Sequence, residues 1–208
     1  MLRSSLRFGP NPANPLLIVI SGPSGIGKDA VVGLLRSTNP ETHFVITMNS
    51  RPPRKDEVDG VDYFFVSKAE FERLIEAGEL LEHAKVYSDY KGIPKSQVRE
   101  AFASGKDVIM RLDVQGAMTI KKLYPQAVLI FLTASSAEEW IERLQARRSE
   151  SPEELGLRLK TAEMEYGLVR KFDYIVVNSD QHLEQTILDI QAIIKAEHLK
   201  TKPRKVRL

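Results

Sequence analysis

The sequence predicts an α/β fold built around a mostly parallel sheet. Short aliphatic or β-branched runs alternate along the chain with segments of helical period, the pattern of repeated strand–helix units. The first of these runs, Leu16–Ser21, empties into a glycine-rich turn that opens a helix. The balance of 42% hydrophobic and 28% charged residues is that of a globular protein, and the 208 residues suffice for one core-bearing domain with small mobile subdomains.

The elements follow in order. Leu16–Ser21 is a buried strand, and a helix runs from about Lys28 to Arg36. Phe44–Met48 reads as a second short strand. A stretch rich in Pro, Arg and Asp, from Arg51 to Asp62, precedes the strand-like Tyr63–Val66. Phe71, Leu74 and Ile75 fall on one face of a short helix. Leu80–Tyr87 is another strand, and Val98, Ala101 and Phe102 mark another helix. Asp107–Leu112 and Val128–Thr133 are strands, joined by a helix that stops before Pro125. Ala137–Arg148 and Glu153–Lys171 are helical and highly charged. Tyr174–Val177 is the last strand, and Leu183, Ile187, Ile190 and Ile194 stripe the last helix. The alternation is broken from about Thr47 to Tyr90, the expected inserted subdomain.

Composition excludes several chemistries. With no cysteine there are no disulfides, thiolate metal sites or cysteine nucleophiles. The four histidines lack ligand spacing, which argues against zinc. No apolar run nears the ~18 residues of a membrane span, and nothing points to nucleic acid. Residues 1–15, rich in Pro, Asn and Arg, read as a disordered leader without the apolar stretch of a secretory signal. Its Arg3, Ser4, Ser5 and Arg7 also fit a trimmed organellar transit remnant. Residues 198–208 carry Lys200, Lys202, Arg204, Lys205 and Arg207 and read as a solvated, frayed tail.

Gly22-Pro23-Ser24-Gly25-Ile26-Gly27-Lys28 sits between strand and helix, as a phosphate-binding loop must. Glycines let successive backbone N–H groups turn toward phosphate oxygens, and the helix N-terminus adds a favourable dipole. Lys28 is placed to reach the β- and γ-phosphates of a nucleoside triphosphate. The next position, where a Ser or Thr hydroxyl would ligate Mg²⁺, holds Asp29.

Further segments narrow the reading. Thr47-Met48-Asn49-Ser50-Arg51-Pro52-Pro53-Arg54, then Glu57, Gly60 and Asp62-Tyr63-Phe64-Phe65-Val66, resemble the guanylate kinase signature in order and spacing. So do Leu81-Glu82-His83-Ala84, Asp113-Val114-Gln115-Gly116-Ala117 and Val176-Val177-Asn178, and the likeness spans Leu16 to about Glu197. The resemblance implies the fold of P-loop nucleoside monophosphate kinases, with helices on both faces of a five-stranded sheet. It implies a core of residues 16–46, 91–136 and 172–197, a GMP-binding insertion at about 47–90 and a helical lid at about 137–171. ATP and GMP would be the substrates, with Mg²⁺ accompanying ATP. The protein would be a monomer or homodimer in the cytoplasm, or in a plastid or mitochondrion of a eukaryote.

Residue roles follow from the same likeness. Arg51, Arg54 and Tyr63 would hold the acceptor phosphate, for which guanidinium forks are suited. Glu82 would accept from guanine N1–H and the exocyclic amine, with Thr47 at the base edge and Asp113 assisting, although Asp113 also reads as a helix N-cap. Arg143, Arg147 and Arg158 would close over the moving phosphoryl group. Arg147 and Asn178 would join Gly22–Asp29 at ATP, Asn178 touching the adenine. Catalysis would rest on Lys28, Arg51 and the three lid arginines.

The chain departs from the pattern at Tyr90-Lys91-Gly92-Ile93-Pro94, where Lys91 replaces a phosphate-binding tyrosine and Ile93 a base-contacting hydroxyl. Arg148 replaces a glycine in the lid, and Arg111 stands where an aspartate is usual. With Asp29, Arg111 suggests a carboxylate that has moved to the loop: Asp29 would then ligate Mg²⁺ directly or through water and pair with Arg111, the alternative being that Asp29 faces away and Mg²⁺ is held by phosphates and water alone. Asp29 and the Lys-Gly-Ile-Pro run together resemble a branch of the family found in plant organelles and some bacteria. Two other readings remain at this stage: a phosphotransferase for another acceptor, such as ribose bisphosphate, and a non-catalytic protein-binding module.

Overall fold

The structure, a computed structural model, describes residues 14–55, 57–86, 88–145, 152–179 and 182–207, with only the backbone described at 86, 145, 152–155, 157 and 158. Five parallel strands form the main sheet. In spatial order they are β2 (His43–Phe44), β7 (Val108–Arg111), β1 (Leu17–Ser21), β8 (Val128–Thr133) and β9 (Tyr174–Val177). β1 is central because it is apolar on both faces, as a strand covered on two sides must be. Its Val19 lies opposite Met110 on one side and Leu129 on the other.

The period of two along β1 feeds two separate cores. Ile18 and Ile20 join Val31 and Leu35 of α1 (Lys28–Thr38) and Ile187 and Ile190 of α7 (Leu183–His198). Leu17 and Val19 join Val98 and Ala101 of α3 (Lys95–Ala103) and Ala117 and Ile120 of α4 (Val114–Leu123). Leu17–Ile20 are completely buried, and each such side chain contributes about 1.5–3 kcal/mol through burial. The C-terminal ends of β1 and β7 open toward a second, smaller sheet, and the site lies there.

That second sheet has the order β4 (Phe64–Phe65), β3 (Met48–Asn49), β6 (Asp89–Pro94), β5 (Leu80–Val86), with β3 parallel to β4 and antiparallel to β6. Helix α2 (Lys68–Glu76) packs on it through buried Phe71 and starts at Ser67, whose side chain accepts from Glu70 N–H. The single strand expected over Phe44–Met48 is therefore two strands in different sheets. Between them, Ile46 has its N–H and C=O satisfied by the side chain of Gln97 at 2.9 and 2.8 Å. Strand β6 escapes the sequence because Gly92 and Pro94 count against a strand, and it carries the second sheet past residue 90 to Pro94. Gly92 is needed there: a Cβ would lie 2.8 Å from the Glu82 carbonyl oxygen.

Two charged helices, α5 (Ala137–Gln145) and α6 (Pro152–Gly167), follow β8, and residues 169–171 form a short 3₁₀ turn before β9. The expected leader falls outside the described residues, apart from 14 and 15.

The frayed C-terminal tail is not observed over residues 199–207. Arg204 donates to both oxygens of Glu197 at 2.9 and 3.1 Å, to Asp173 and to the Ala127 carbonyl, while Val206 packs on the core beside α4. The cause is Glu197, only 1% exposed. Burial alone would raise its pKa, but Arg204, Lys200 and the Tyr174 hydroxyl hold the carboxyl down at about 2. A buried carboxylate requires such partners, and the basic tail supplies two of them.

Candidate active site

The phosphate loop leaves β1 through Gly22, whose φ of 144° and position leave no room for a side chain: a Cβ would stand 2.4 Å from the Leu132 carbonyl oxygen. Gly25 and Gly27 adopt φ of 81° and 89°, a region that favours glycine. Two side chains fix the loop from outside. Trp140 of α5 donates through Nε1 to the Ser24 carbonyl at 2.8 Å, and Asn178 donates through Nδ2 to that of Ile26 at 2.7 Å. Leu144 fills the space beside Gly25, so α5 is seated directly on the loop. Lys28 folds back across it, donating to the Gly22 and Pro23 carbonyls at 2.6 and 3.0 Å.

Facing the loop is a cleft of about 310 Å³ whose wall includes Lys28, Asp29, Thr47, Glu82, Arg111 and Asp113. Tyr63 and Lys91 line it as well. Glu82, half-buried on β5, has its pKa raised to about 7, first by desolvation and then by the charge of Asp113. A carboxylate with this environment gains from any ligand that offers it N–H donors. Asp113 caps α4, one oxygen accepting from Gly116 N–H at 2.7 Å. Burial raises the pKa of the Tyr63 phenol, and burial followed by repulsion from Arg51 and Arg54 lowers that of the Lys91 ammonium. Cations thus gather around one aromatic ring: Arg51, Arg111 and Lys91 lie 5.4, 5.7 and 5.9 Å from the centre of Tyr63. Such a group suits a small dianion.

Arg51 is held by Glu57 in a two-pronged pair at 2.7 and 2.5 Å, and Glu57 also accepts from Arg54 N–H at 2.8 Å. The Arg51 hydrogen bonds, followed by that N–H, hold the Glu57 carboxyl down at about 2. Arg54 is exposed on the same loop. Arg111, at the end of β7, forms an ion pair with Asp29 and donates to Tyr63 Oη at 3.3 Å. The pairing suggested by the two sequence departures is present.

Some expected site residues are placed otherwise. The buried Asn178 side chain, given to adenine by the resemblance, is committed within the protein: it grips Ile26 and accepts from Thr186. Gly22 and Pro23 do not line the cleft, acting through backbone shape and the carbonyls that hold Lys28. Arg143 pairs with Glu139 on its own helix. Arg147 lies outside the described residues, as does Arg148, and the side chain of Arg158 on α6 is likewise outside them. Sequence reasoning gave no role to Glu57 or Trp140. Glu57 was visible as an acid six residues from Arg51 on a proline-stiffened loop; nothing local marks Trp140, since its partner is 116 positions away.

Among the described residues no helix is long and apolar enough to cross a membrane, and no group of three or more His, Cys, Asp or Glu could hold a metal alone. Residues 14–197 match the guanylate kinase family. The chain is 46% identical over 198 residues to guanylate kinase 2, chloroplastic/mitochondrial, of rice, covering 95% of this chain and 70% of that protein. It is 43% identical over 194 residues to the guanylate kinase of Symbiobacterium thermophilum, covering 92% and 90% respectively. The crystal structure of guanylate kinase from Anaplasma phagocytophilum superposes with a TM-score of 0.72 at 29% identity, over 91% of this chain and 89% of that one. A phosphate loop, a half-buried carboxylate and a ring of cations in one cleft, with a likeness that covers nearly all of the chain, lead to one assignment: this chain belongs to the guanylate kinase family.

Proposed function

We propose that this protein transfers the γ-phosphoryl group of ATP to GMP, giving ADP and GDP. The observation that carries the reading is the single cleft joining the phosphate loop to Glu82 and Tyr63. On this reading Glu82 accepts from guanine N1–H and the 2-amino group together, with Thr47 and Asp113 beside the base. Adenine lacks that donor pair. Arg51, Arg54, Tyr63 and Lys91 surround the phosphate of GMP, and Glu57 keeps Arg51 in its working orientation. Gly22–Lys28 cradles the ATP phosphates, with Lys28 leaving the loop carbonyls for the β- and γ-phosphates. Asn178 serves ATP by bracing that cradle.

An oxygen of the GMP phosphate attacks the γ-phosphorus in line while the bond to the ADP oxygen breaks. Little covalent chemistry falls to the protein in such a transfer, which depends on alignment and charge neutralisation. Lys28 and the arginines neutralise the three equatorial oxygens, and Arg143, Arg147 and Arg158 belong to this set as lid residues of about 137–171. Water kept out by lid closure cannot take the phosphoryl group instead. The Asp29 carboxylate, exposed at the mouth of the loop, fits as an oxygen donor toward Mg²⁺ accompanying ATP, directly or through water. Mg²⁺ keeps several waters and takes few protein ligands; bound there, it draws charge from the phosphates. GMP is held by the insertion at about 47–90, extended here to Pro94. The substrates are soluble nucleotides, so the cytoplasm serves the reaction, and the rice relative points to an organelle as the alternative. The protein would act as a monomer or a homodimer.

An ADP-release assay with GMP, AMP, UMP and ribose phosphates tests the proposal. Preference for GMP over AMP of about 10⁴–10⁵ in kcat/KM is expected of a site built on paired polar groups. Equal efficiency with the two, or preference for a ribose phosphate, would refute it.

A further inference from the structure

Arg111 belongs neither to the phosphate loop nor to the small sheet, yet it touches both. It projects from the end of β7, pairs with Asp29 at the start of α1, and donates to Tyr63 Oη beside β4. The two ends of this chain of contacts differ. Asp29 is 74% exposed, whereas Arg111 is 25% exposed and lies between Asp29 and the Tyr63 hydroxyl. The carboxylate of Asp29 therefore offsets the charge of a cation that faces the acceptor-phosphate pocket.

Resting on the GMP-kinase reading above, we propose that Arg111 is a positioning residue that couples the two substrate sites. When the nucleotide at the phosphate loop draws Asp29 toward its own bound cation, Arg111 loses its partner. Its charge then acts on the phosphate of GMP through the pocket it shares with Tyr63 and Lys91. ATP binding thereby tightens GMP binding, and by linkage GMP tightens ATP equally. Asp29 acts as a removable mask on the arginine of the neighbouring strand.

The test is calorimetric titration of GMP into the enzyme, alone and saturated with Mg²⁺ and a non-hydrolysable ATP analogue. The parent is expected to bind GMP about 5–150-fold more tightly in the presence of the analogue. Asp29→Asn removes the mask, so it is expected to raise GMP affinity in the absence of analogue toward the coupled value and to abolish most of the further gain. Asp29→Ser serves as a second unmasked variant. Arg111→Gln is expected to leave affinity low under both conditions, and Arg111→Lys to recover part of the coupling because it keeps the charge. A merely structural role for the pair would lower affinity in every variant and raise it in none. Unchanged or weakened GMP binding in both Asp29 variants, or full coupling in Arg111→Gln, overturns the proposal while leaving the kinase reading intact. Failure of the parent to bind GMP overturns both.

Discussion

Glu82 offers a quantitative test of the acceptor site through pH. Its pKa is raised to about 7 by desolvation and by Asp113. Only the carboxylate can accept from both guanine donors, so apparent affinity for GMP should follow the ionised fraction. With a pKa of about 7, that fraction falls from about nine-tenths at pH 8 to about one-tenth at pH 6. GMP binding should therefore weaken about tenfold over those two units. The phosphate of GMP also titrates near pH 6, but that contribution is common to the parent and to Glu82→Gln. Calorimetric titrations of both from pH 6 to 8 isolate the difference, which is expected to approach tenfold. At pH 7 the parent should release about half a proton more on binding than the variant. Parallel profiles would refute the reasoning. Stability has the opposite sign. A carboxyl whose folded pKa lies above its unfolded value favours the folded state fully below about pH 4.5, and that contribution is lost as pH rises through about 7. Glu82→Gln should thus stabilise the empty enzyme at pH 8 by on the order of 1–2 kcal/mol, after allowance for partial solvent screening.

Other outcomes are expected from the same geometry. Arg51→Ala should weaken GMP roughly ten- to two-hundredfold, the effect of losing a charge-assisted contact, with ATP affinity of the isolated enzyme nearly unchanged; calorimetry with each nucleotide separates the two. Asn178→Ala removes a buried hydrogen bond to the phosphate loop and should cost about 1–3 kcal/mol in thermal unfolding while raising KM for ATP more than KM for GMP. Arg204→Ala leaves Glu197 with Lys200 and Tyr174 alone and should destabilise the protein by about 3–5 kcal/mol at pH 7, read from urea unfolding. Because the Glu197 pKa is depressed, its contribution should persist above pH 4.5 and fade as pH falls toward about 2.

The main sheet was legible because its signals are local. Leu17–Ile20 are apolar without a break, the glycine loop follows at once, and Val128–Thr133 rises from Pro125 as a clean run. What escaped depends on contacts distant in sequence. Nothing within Phe44–Met48 says that the strand must break at Ile46; the reason is a glutamine 51 positions later. Strand β6 contains a glycine and a proline that local propensity counts against a strand, yet Gly92 is there because Glu82 and Phe71 crowd it. The tail looked solvated because its charges are uniform, and the acid that captures Arg204 lies seven residues upstream on the buried side of a helix. In the site, Lys28, Glu82 and Tyr63 could be singled out by motif. The commitment of Asn178 to the loop could not, since it requires knowing that the end of β9 passes under Ile26.

The Gln97 clamp has a mechanical consequence. Chain passes from the main sheet to the small one through Ile46, since Val45 N–H still donates to Ile109 in the former and Thr47 already accepts from Phe64 in the latter. It returns from β6 into α3 at Lys95, two residues from Gln97. Both crossings thus meet at one side chain, which supplies the peptide of Ile46 with the two bonds that a neighbouring strand would otherwise give. Leu81 of β5 and Ile93 of β6 are packed in the core with α3 and α4, so we expect the far edge of the small sheet, at β4, to turn about this point while that end stays anchored. Solution scattering of the empty and doubly liganded enzyme would check this, with no compaction counting against it. A joint of this kind, two hydrogen bonds to one peptide, resists translation more than it resists rotation.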